Sequence, residues 1–270
     1  MHPWNSATPF SPWLKLSQKK PEEGGGCFVP ELSEFSKFQD EAKKFHSGDL
    51  YNTNRIIEGF YLDLLAKEKV SGTDKIWAIG PFNPVVIPER KNSNSRSHEC
   101  LQWLDKQASN TVIFVSFGST SSLSDEQIKE LALGLENSGK KFIWVLRDAD
   151  KGKLGNVFEG HVRRALFPKG YEMRVEDRGI ILRDWAPQLE ILGHPSTGGF
   201  ISHCVRDWAH QGEVVSAIVV ENTVRGLMDT KEGEEIRQRA SAFGDAVKKS
   251  IMEGGATRME MDSFIAHVTR

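Results

Sequence analysis

Three side chains in this 270-residue sequence suggest ligand chemistry: Trp185, Ser119 and His203 each fall at or just beyond a strand-like apolar run. Trp185 follows Gly179–Leu182. Its indole can stack on a planar base, or it can cap the sheet as a core residue, and position alone leaves both readings open. Gly118-Ser119-Thr120 follows Thr111–Phe117. Glycine there lets the backbone approach an anion, and the hydroxyl and free amides supply donors; the same residues also make an ordinary strand-to-helix turn. His203 ends the run Gly199–His203 and is either a donor to an anionic diphosphate or a satisfied structural histidine. His194, His203 and Cys204 match no standard zinc spacing, so no metal is expected. Cys204 has no partnered base and reads as an inert buried thiol. The chain contains neither G-x-G-x-x-G nor G-x-x-x-x-G-K-[ST], which argues against a dinucleotide oxidoreductase or a P-loop enzyme.

The elements that must hold these residues are best patterned between 111 and 203. Thr111–Phe117 is a β-branched and aromatic strand. Ser124 is placed to cap a helix running to Ser138, with Gln127 as its capping-box partner and Gly139 as its stop. Lys141–Leu146, Gly179–Leu182 and Gly199–His203 are three more strands. Strands alternating with helices predict an α/β fold with a parallel, Rossmann-like sheet and helices on both faces. In such sheets ligands sit beyond the carboxyl ends of the strands. The tail predicts helices: one over Val214–Met228, one with Ile236, Ala240, Phe243, Val247 and Ile251 on a stripe, and a last one opened by Thr257 and Glu260 as a second capping box, with Met261, Phe264, Ile265 and Val268 as its buried face. Before 111 the pattern is weaker. Pro3, Pro9, Pro12, Pro21 and Gly24–Gly26 argue against regular structure. Phe35 and Phe38, then Phe60, Leu64 and Leu65, fit helical faces, and Lys75–Ile79 is a short strand ended by Gly80-Pro81. Residues 83–98 read as a linker.

With 39% hydrophobic and 27% charged residues the chain can bury a core. A net charge of −2 gives no electrostatic hold on nucleic acid or anionic lipid, so neither is an expected partner, and no protein partner is predicted. Cys27, Cys100 and Cys204 are too few and too scattered for a disulfide framework, which suits a cytoplasmic protein. No signal peptide is evident, and the apolar runs are of strand length, short of a membrane span.

Taken in order, Trp185-Ala186-Pro187-Gln188, His194-Pro195-Ser196-Thr197-Gly198-Gly199-Phe200 and His203-Cys204 resemble the first half of the sugar-nucleotide signature of plant-type UDP-glycosyltransferases. Val115–Ser119, Trp77–Pro81 and Cys100–Asp105 agree. Ile57-Glu58-Gly59 and Asp262–His267 look most like the zeatin O-glucosyltransferase branch. The resemblance implies a GT-B arrangement: 1–82 a remnant of the acceptor domain, 83–98 the interdomain linker, 99–212 a partial UDP-sugar-binding Rossmann-like domain, and 213–270 C-terminal helices. It implies that Trp185 stacks on uracil, that Ala186 and Gln188 contact uracil and ribose, and that Ser119 and His203 face the phosphates. The implied reaction is inverting transfer of glucose from UDP-glucose, as co-substrate and without a cofactor, to a hydroxyl of a small acceptor such as a zeatin-type cytokinin.

Two departures qualify that expectation. The family's catalytic histidine has no counterpart here; His2 is not in its motif, so no catalytic residue is assigned. After Cys204 the family continues Gly-Trp-Asn-Ser, then a ribose-binding Glu and a sugar-binding Asp-Gln, whereas this chain goes to Val205-Arg206-Asp207-Trp208. The jump removes a βα unit and leaves an expected exposed sheet edge. The enzyme reading describes the lineage. The other reading, a truncated or misannotated product that binds UDP weakly and is inactive, is the expectation for the chain as it stands, because positioning groups and a base are missing.

Overall fold

A computed structural model describes residues 34–35, 37–38, 46–69, 72–83, 98–118, 123–146, 167–202 and 213–269. The segments expected to be poorly ordered, before Gly26 and over Val205–Gly212, lie outside the described residues. The chain divides into two compact units, Met1–Leu50 with Asp63–Trp77, and Tyr51–Leu62 with Ala78–Arg270. Strands β1 (Asp49–Tyr51) and β2 (Ile76–Ala78) and helix α1 (Arg55–Glu68) run across this division, the two strands forming a two-stranded sheet. In the smaller unit His46 Nε2 lies 3.0 Å from Asp49 Oδ1. The apolar face expected from Phe60, Leu64 and Leu65 is not what α1 buries: Leu62 is its buried residue and Phe60 is exposed.

The larger unit holds a four-stranded sheet in the order β5-β4-β3-β6. Its strands are β3 (Val112–Ser116), β4 (Lys141–Val145), β5 (Gly179–Leu182) and β6 (Thr197–Ile201), all parallel. The last begins two residues earlier than its apolar run suggested, because Thr197 and Gly199 already pair with Val112 and Ile113. Side chains alternate across a strand, and β3 uses both faces. Ile113 and Val115 enter one cluster with Ile128, Leu131 and Leu135 of α3 (Asp125–Ser138), Tyr171 and Val175 of α4 (Tyr171–Val175), and Val220 and Val224 of α6 (Ala217–Asp229). Val112 and Phe114 enter a second cluster with Cys100, Leu101 and Leu104 of α2 (Glu99–Leu104) and Ile191 of α5 (Gln188–Leu192). The expected helices on both faces are therefore present.

Helix α3 starts and stops as its sequence implies. Ser124 Oγ accepts from the Gln127 amide at 3.1 Å, and Gly139 closes the helix with φ 67°. The side chain of Gln127 does not complete a capping box. It spans to the segment before α6 instead, donating to the Val215 carbonyl (3.0 Å) and accepting from the Val215 amide (2.7 Å). The second expected box is also redirected. Helix α8 (Ala256–Val268) begins after Gly255. Buried Asn54 donates to Ser250 Oγ of α7 (Lys231–Ile251) at 2.6 Å and to Thr257 Oγ1 at 3.2 Å. Glu260 takes Arg55 and the Ala78 amide. The expected apolar faces of these two helices are only half covered: Ile236, Phe243, Ile265 and Val268 are exposed.

Close approach of α3 and α6 depends on Gly134. A Cβ there would stand 2.5 Å from Val220 Cβ and 2.7 Å from the Ala217 carbonyl oxygen. Gly134→Ala raises helix propensity by about 1 kcal/mol, yet overpacking costs about 1–3 kcal/mol, so the variant is expected to unfold at lower urea. Between α3 and α4, Arg174 donates through Nε and Nη2 to both oxygens of Glu136, the second contact at 2.9 Å. Those bonds hold the Glu136 carboxyl below its ordinary value. A depressed folded-state pKa stabilises above the unfolded value and is lost as pH falls through the folded one. The melting-temperature gap between wild type and Glu136→Gln should therefore be full at pH 7 and close as pH drops below 4.5.

Candidate functional site

The carboxyl ends of β3, β4 and β5 open onto a cavity of about 510 Å³. Phe114, Ser116 and Gly118 line it from β3 and the residues after it, Val145 from β4, and Asp184, Trp185, Ala186, Gln188, Leu189 and Glu190 from the segment after β5. This is the crevice where open α/β sheets take ligands. Gly118 has φ 76°, a left-handed conformation that lets β3 turn away at the cavity wall without a Cβ penalty.

The turn after β5 exposes its tryptophan for a local reason. Pro187 disfavours a helical Ala186, and with φ −73° and ψ 75° it makes a tight turn, closed by the Gln188 amide donating to the Ala186 carbonyl at 2.8 Å, where α5 starts. Pro187 is buried, and Ala186 packs on the second core cluster. These two residues anchor the turn and leave Trp185 and Gln188 facing outward. Trp185 is 69% exposed, and its ring meets His98 edge-on at 6.3 Å between centroids. The reading of Trp185 as a core residue is thus corrected. Among the described residues the buried tryptophans are Trp77 and Trp144, the latter fully buried. Arg183, just before, lies over the Phe167 ring at 5.5 Å and pairs with Glu172, which fixes the approach to the turn.

Of the five residues singled out in the sequence, Trp185, Ala186 and Gln188 come together on one wall. Ser119 and His203 lie outside the described residues, as does Cys204, although Gly118 beside Ser119 lines the cavity. Asp184 and Glu190 were missed. They flank the tryptophan motif, and their side-chain type alone did not separate them from a solvated surface. They are the charged groups among the described lining residues. Two carboxylates without a cation suit hydroxyl and imide donors, as on a sugar or a base, better than a diphosphate. Among the described residues no group of three His, Cys, Asp or Glu is placed to hold a metal ion.

The string from 194 to 199 does structural work. His194 Nε2 lies 3.1 Å from Asp105 Oδ1, and its Nδ1 accepts from the Ser196 amide at 3.1 Å. Ser196 Oγ, buried, donates to the carbonyls of Leu104 (3.1 Å) and Gln107 (2.9 Å). Gly199 leaves no room for a Cβ between Leu227 and Ile113, at 2.6 and 2.7 Å.

The fold is an α/β unit whose parallel sheet carries an exposed indole on a cavity at its strand ends, and comparison with known proteins gives its family. Residues 81–210 match the family described as UDP-glucoronosyl and UDP-glucosyl transferase, and residues 11–84 match a glycosyltransferase N-terminal domain. Zeatin O-xylosyltransferase of Phaseolus vulgaris is 47% identical over 286 aligned residues, covering 91% of this chain and 62% of that protein. Zeatin O-glucosyltransferase of Phaseolus lunatus is 46% identical, with 91% and 61% covered. The structure of a UGT transferase from Siraitia grosvenorii in complex with UDP matches with a TM-score of 0.69 at 28% identity, over 90% of this chain and 61% of that one. The chain belongs to the plant UDP-glycosyltransferases, close to the zeatin O-glycosyltransferases, and shares their GT-B type of α/β fold. It spans about three-fifths of the length of the curated relatives it matches. The 286 aligned positions exceed the 270 residues present, so the bean relative carries internal sequence that this chain lacks.

The two tryptophans should behave oppositely. Trp144→Ala empties a fully buried site and is expected to cost about 3–5 kcal/mol in urea unfolding, whereas Trp185→Ala should stay within about 0.5 kcal/mol of wild type.

Proposed function

We propose that this chain binds a UDP-sugar in the cavity at the ends of β3, β4 and β5, and that its reaction is transfer of glucose from UDP-glucose to a hydroxyl of a small acceptor, with zeatin-type cytokinins as first candidates. The observation that carries this reading is the exposed Trp185 on the cavity wall beside Ala186 and Gln188. In this reading Trp185 stacks on uracil, while Ala186 and Gln188 contact uracil and ribose. Ser119 and His203 face the phosphates, where hydroxyl and imidazole donors, rather than a metal, offset the diphosphate charge. Residues 99–212 form the donor-binding part, 1–82 belong to the acceptor side, 83–98 link them, and the protein works in the cytoplasm. The acceptor oxygen bonds to the anomeric carbon as the bond from that carbon to the UDP oxygen breaks, and the hydroxyl proton leaves to a base.

A second reading is a UDP binder without transferase activity. The internal segment that the bean relative carries and this chain lacks favours it, since by the family pattern the jump after Cys204 removes further phosphate, ribose and sugar contacts. Calorimetry with UDP and uridine, followed by mass detection of glucosylated trans-zeatin from UDP-glucose, separates the two. UDP is expected to bind in the micromolar range. Trp185→Ala should weaken UDP and uridine alike, by about 5- to 160-fold, since base stacking on an aromatic is worth about 1–3 kcal/mol. His203→Ala should weaken UDP and spare uridine. Transfer to zeatin establishes the enzyme, and UDP binding without transfer establishes the second reading. A folded chain that ignores UDP overturns both.

A further inference from the structure

His98 begins α2 as its N-cap, with φ −55° and ψ 135°, and its ring accepts from the Cys100 amide at 3.4 Å. Histidine is an unusual choice there. Ser, Thr, Asp and Asn fill this position best because a short oxygen acceptor reaches the free amides closely. The cap bond at 3.4 Å is correspondingly long. What the larger ring adds is its second contact, the edge-on meeting with Trp185 at 6.3 Å and 67° between planes.

Both partners rest on the same cluster. Cys100, Leu101 and Leu104 of α2 are buried in it, and Ala186 packs against it one residue beyond Trp185. The His98 backbone is also fixed, its carbonyl accepting from Leu101 at 2.9 Å and from Gln102 at 3.3 Å. With Nδ1 accepting from the Cys100 amide, the ring plane is set by the helix start. A ring oriented by the helix start thus meets, edge-on, a tryptophan that is 69% exposed. An exposed indole that stacks on a ligand must give up rotamer freedom on binding, and a brace in the free protein reduces that cost.

We propose that His98 is a positioning residue for the nucleotide: its ring braces the Trp185 indole and holds one indole face toward the cavity for the base. This rests on the reading of Trp185 as the base platform. No role for His98 follows from the tryptophan motif itself.

Two substitutions in the full chain separate the brace from the cap, with UDP as the probe. His98→Asn supplies a better cap and no ring, so the thermal midpoint should hold or rise while the Kd for UDP weakens about two- to tenfold, the range of an aromatic pair. His98→Phe keeps a ring without an acceptor, so the midpoint should fall while the Kd stays within about twofold of wild type. Added to Trp185→Ala, His98→Asn should cause no further loss. The proposal is overturned if His98→Asn leaves the Kd unchanged, if affinity follows the midpoint in both variants, or if His98→Asn still weakens binding in the Trp185→Ala background. Should Trp185→Ala bind UDP like wild type, or wild type not bind at all, the platform reading fails and the brace with it. A loss with Trp185→Ala but none with His98→Asn removes the brace alone.

Discussion

The burial of β3 on both faces and both edges is the constraint from which the rest of the α/β unit follows. All five of its residues are buried, β4 and β6 flank it, and its alternate side chains supply the centre of each hydrophobic cluster. A strand so placed has no solvated side, so its polar groups are satisfied by the two ladders and its direction is fixed by the helices on either face. Where the strand ends, the ladder ends too. Ser116 is still buried, and Gly118 turns in a left-handed conformation at the cavity. The cavity is in this sense the place where the packing of β3 stops being continued.

That arrangement explains why one contiguous motif divides into two kinds of residue. Trp185, Ala186 and Gln188 stand past the end of β5, beyond the ladder, with side chains or backbone free for a ligand. His194 and Ser196 stand before the start of β6 and Gly199 within it, away from the carboxyl ends of the strands. There they clasp α2 and admit Leu227 and Ile113. Read as sequence, the whole string looks equally functional. Its split follows from which end of a parallel strand each part occupies.

Local order was legible in the sequence, and remote order was not. Ser124 and Gly139 set the limits of α3 through bonds within three residues of each other, so spacing alone finds them. Gln127, Thr257 and Glu260 sit at equally good local spacing, yet their side chains go to Val215, Asn54, Arg55 and Ala78, far away in sequence. A buried donor such as the Asn54 amide costs more left unpaired than a helix end left to water, so tertiary demand takes the side chain. Trp185 could not be assigned from its position, because a sheet-capping and a ligand-facing indole occupy the same register. Its exposure removes the sheet-capping reading, and that exposure comes from the packing of Ala186 and Pro187 beside it. The stripes on α7 and α8 were correctly seen as apolar but are only half covered, since periodicity reports which residues share a face and not whether a neighbour meets that face.

The step from β6 to α6 bears most directly on how fold and chemistry are connected here. Among the described residues β6 has a partner on one side only, and Phe200 on it is 41% exposed while stacking on Phe114 at 5.3 Å. An unpaired edge of this kind is the one expected from the sequence if a βα unit is absent after Cys204. The seating of α6 shows no matching cost. Glu130 accepts from the Ala217 amide at 2.6 Å, placing a carboxylate where the helix start favours negative charge. Gln127 satisfies both backbone groups of Val215. Gly134 makes the notch for Val220, and Val224 is buried beneath. These contacts lie between α3 and α6 and need nothing from the connection between β6 and α6. The unit can therefore keep its core, its sheet and the exposed Trp185 whatever that connection contains. Stability of the α/β unit is separate from whatever that connection supplies, and the cavity wall that carries Trp185 depends on the first.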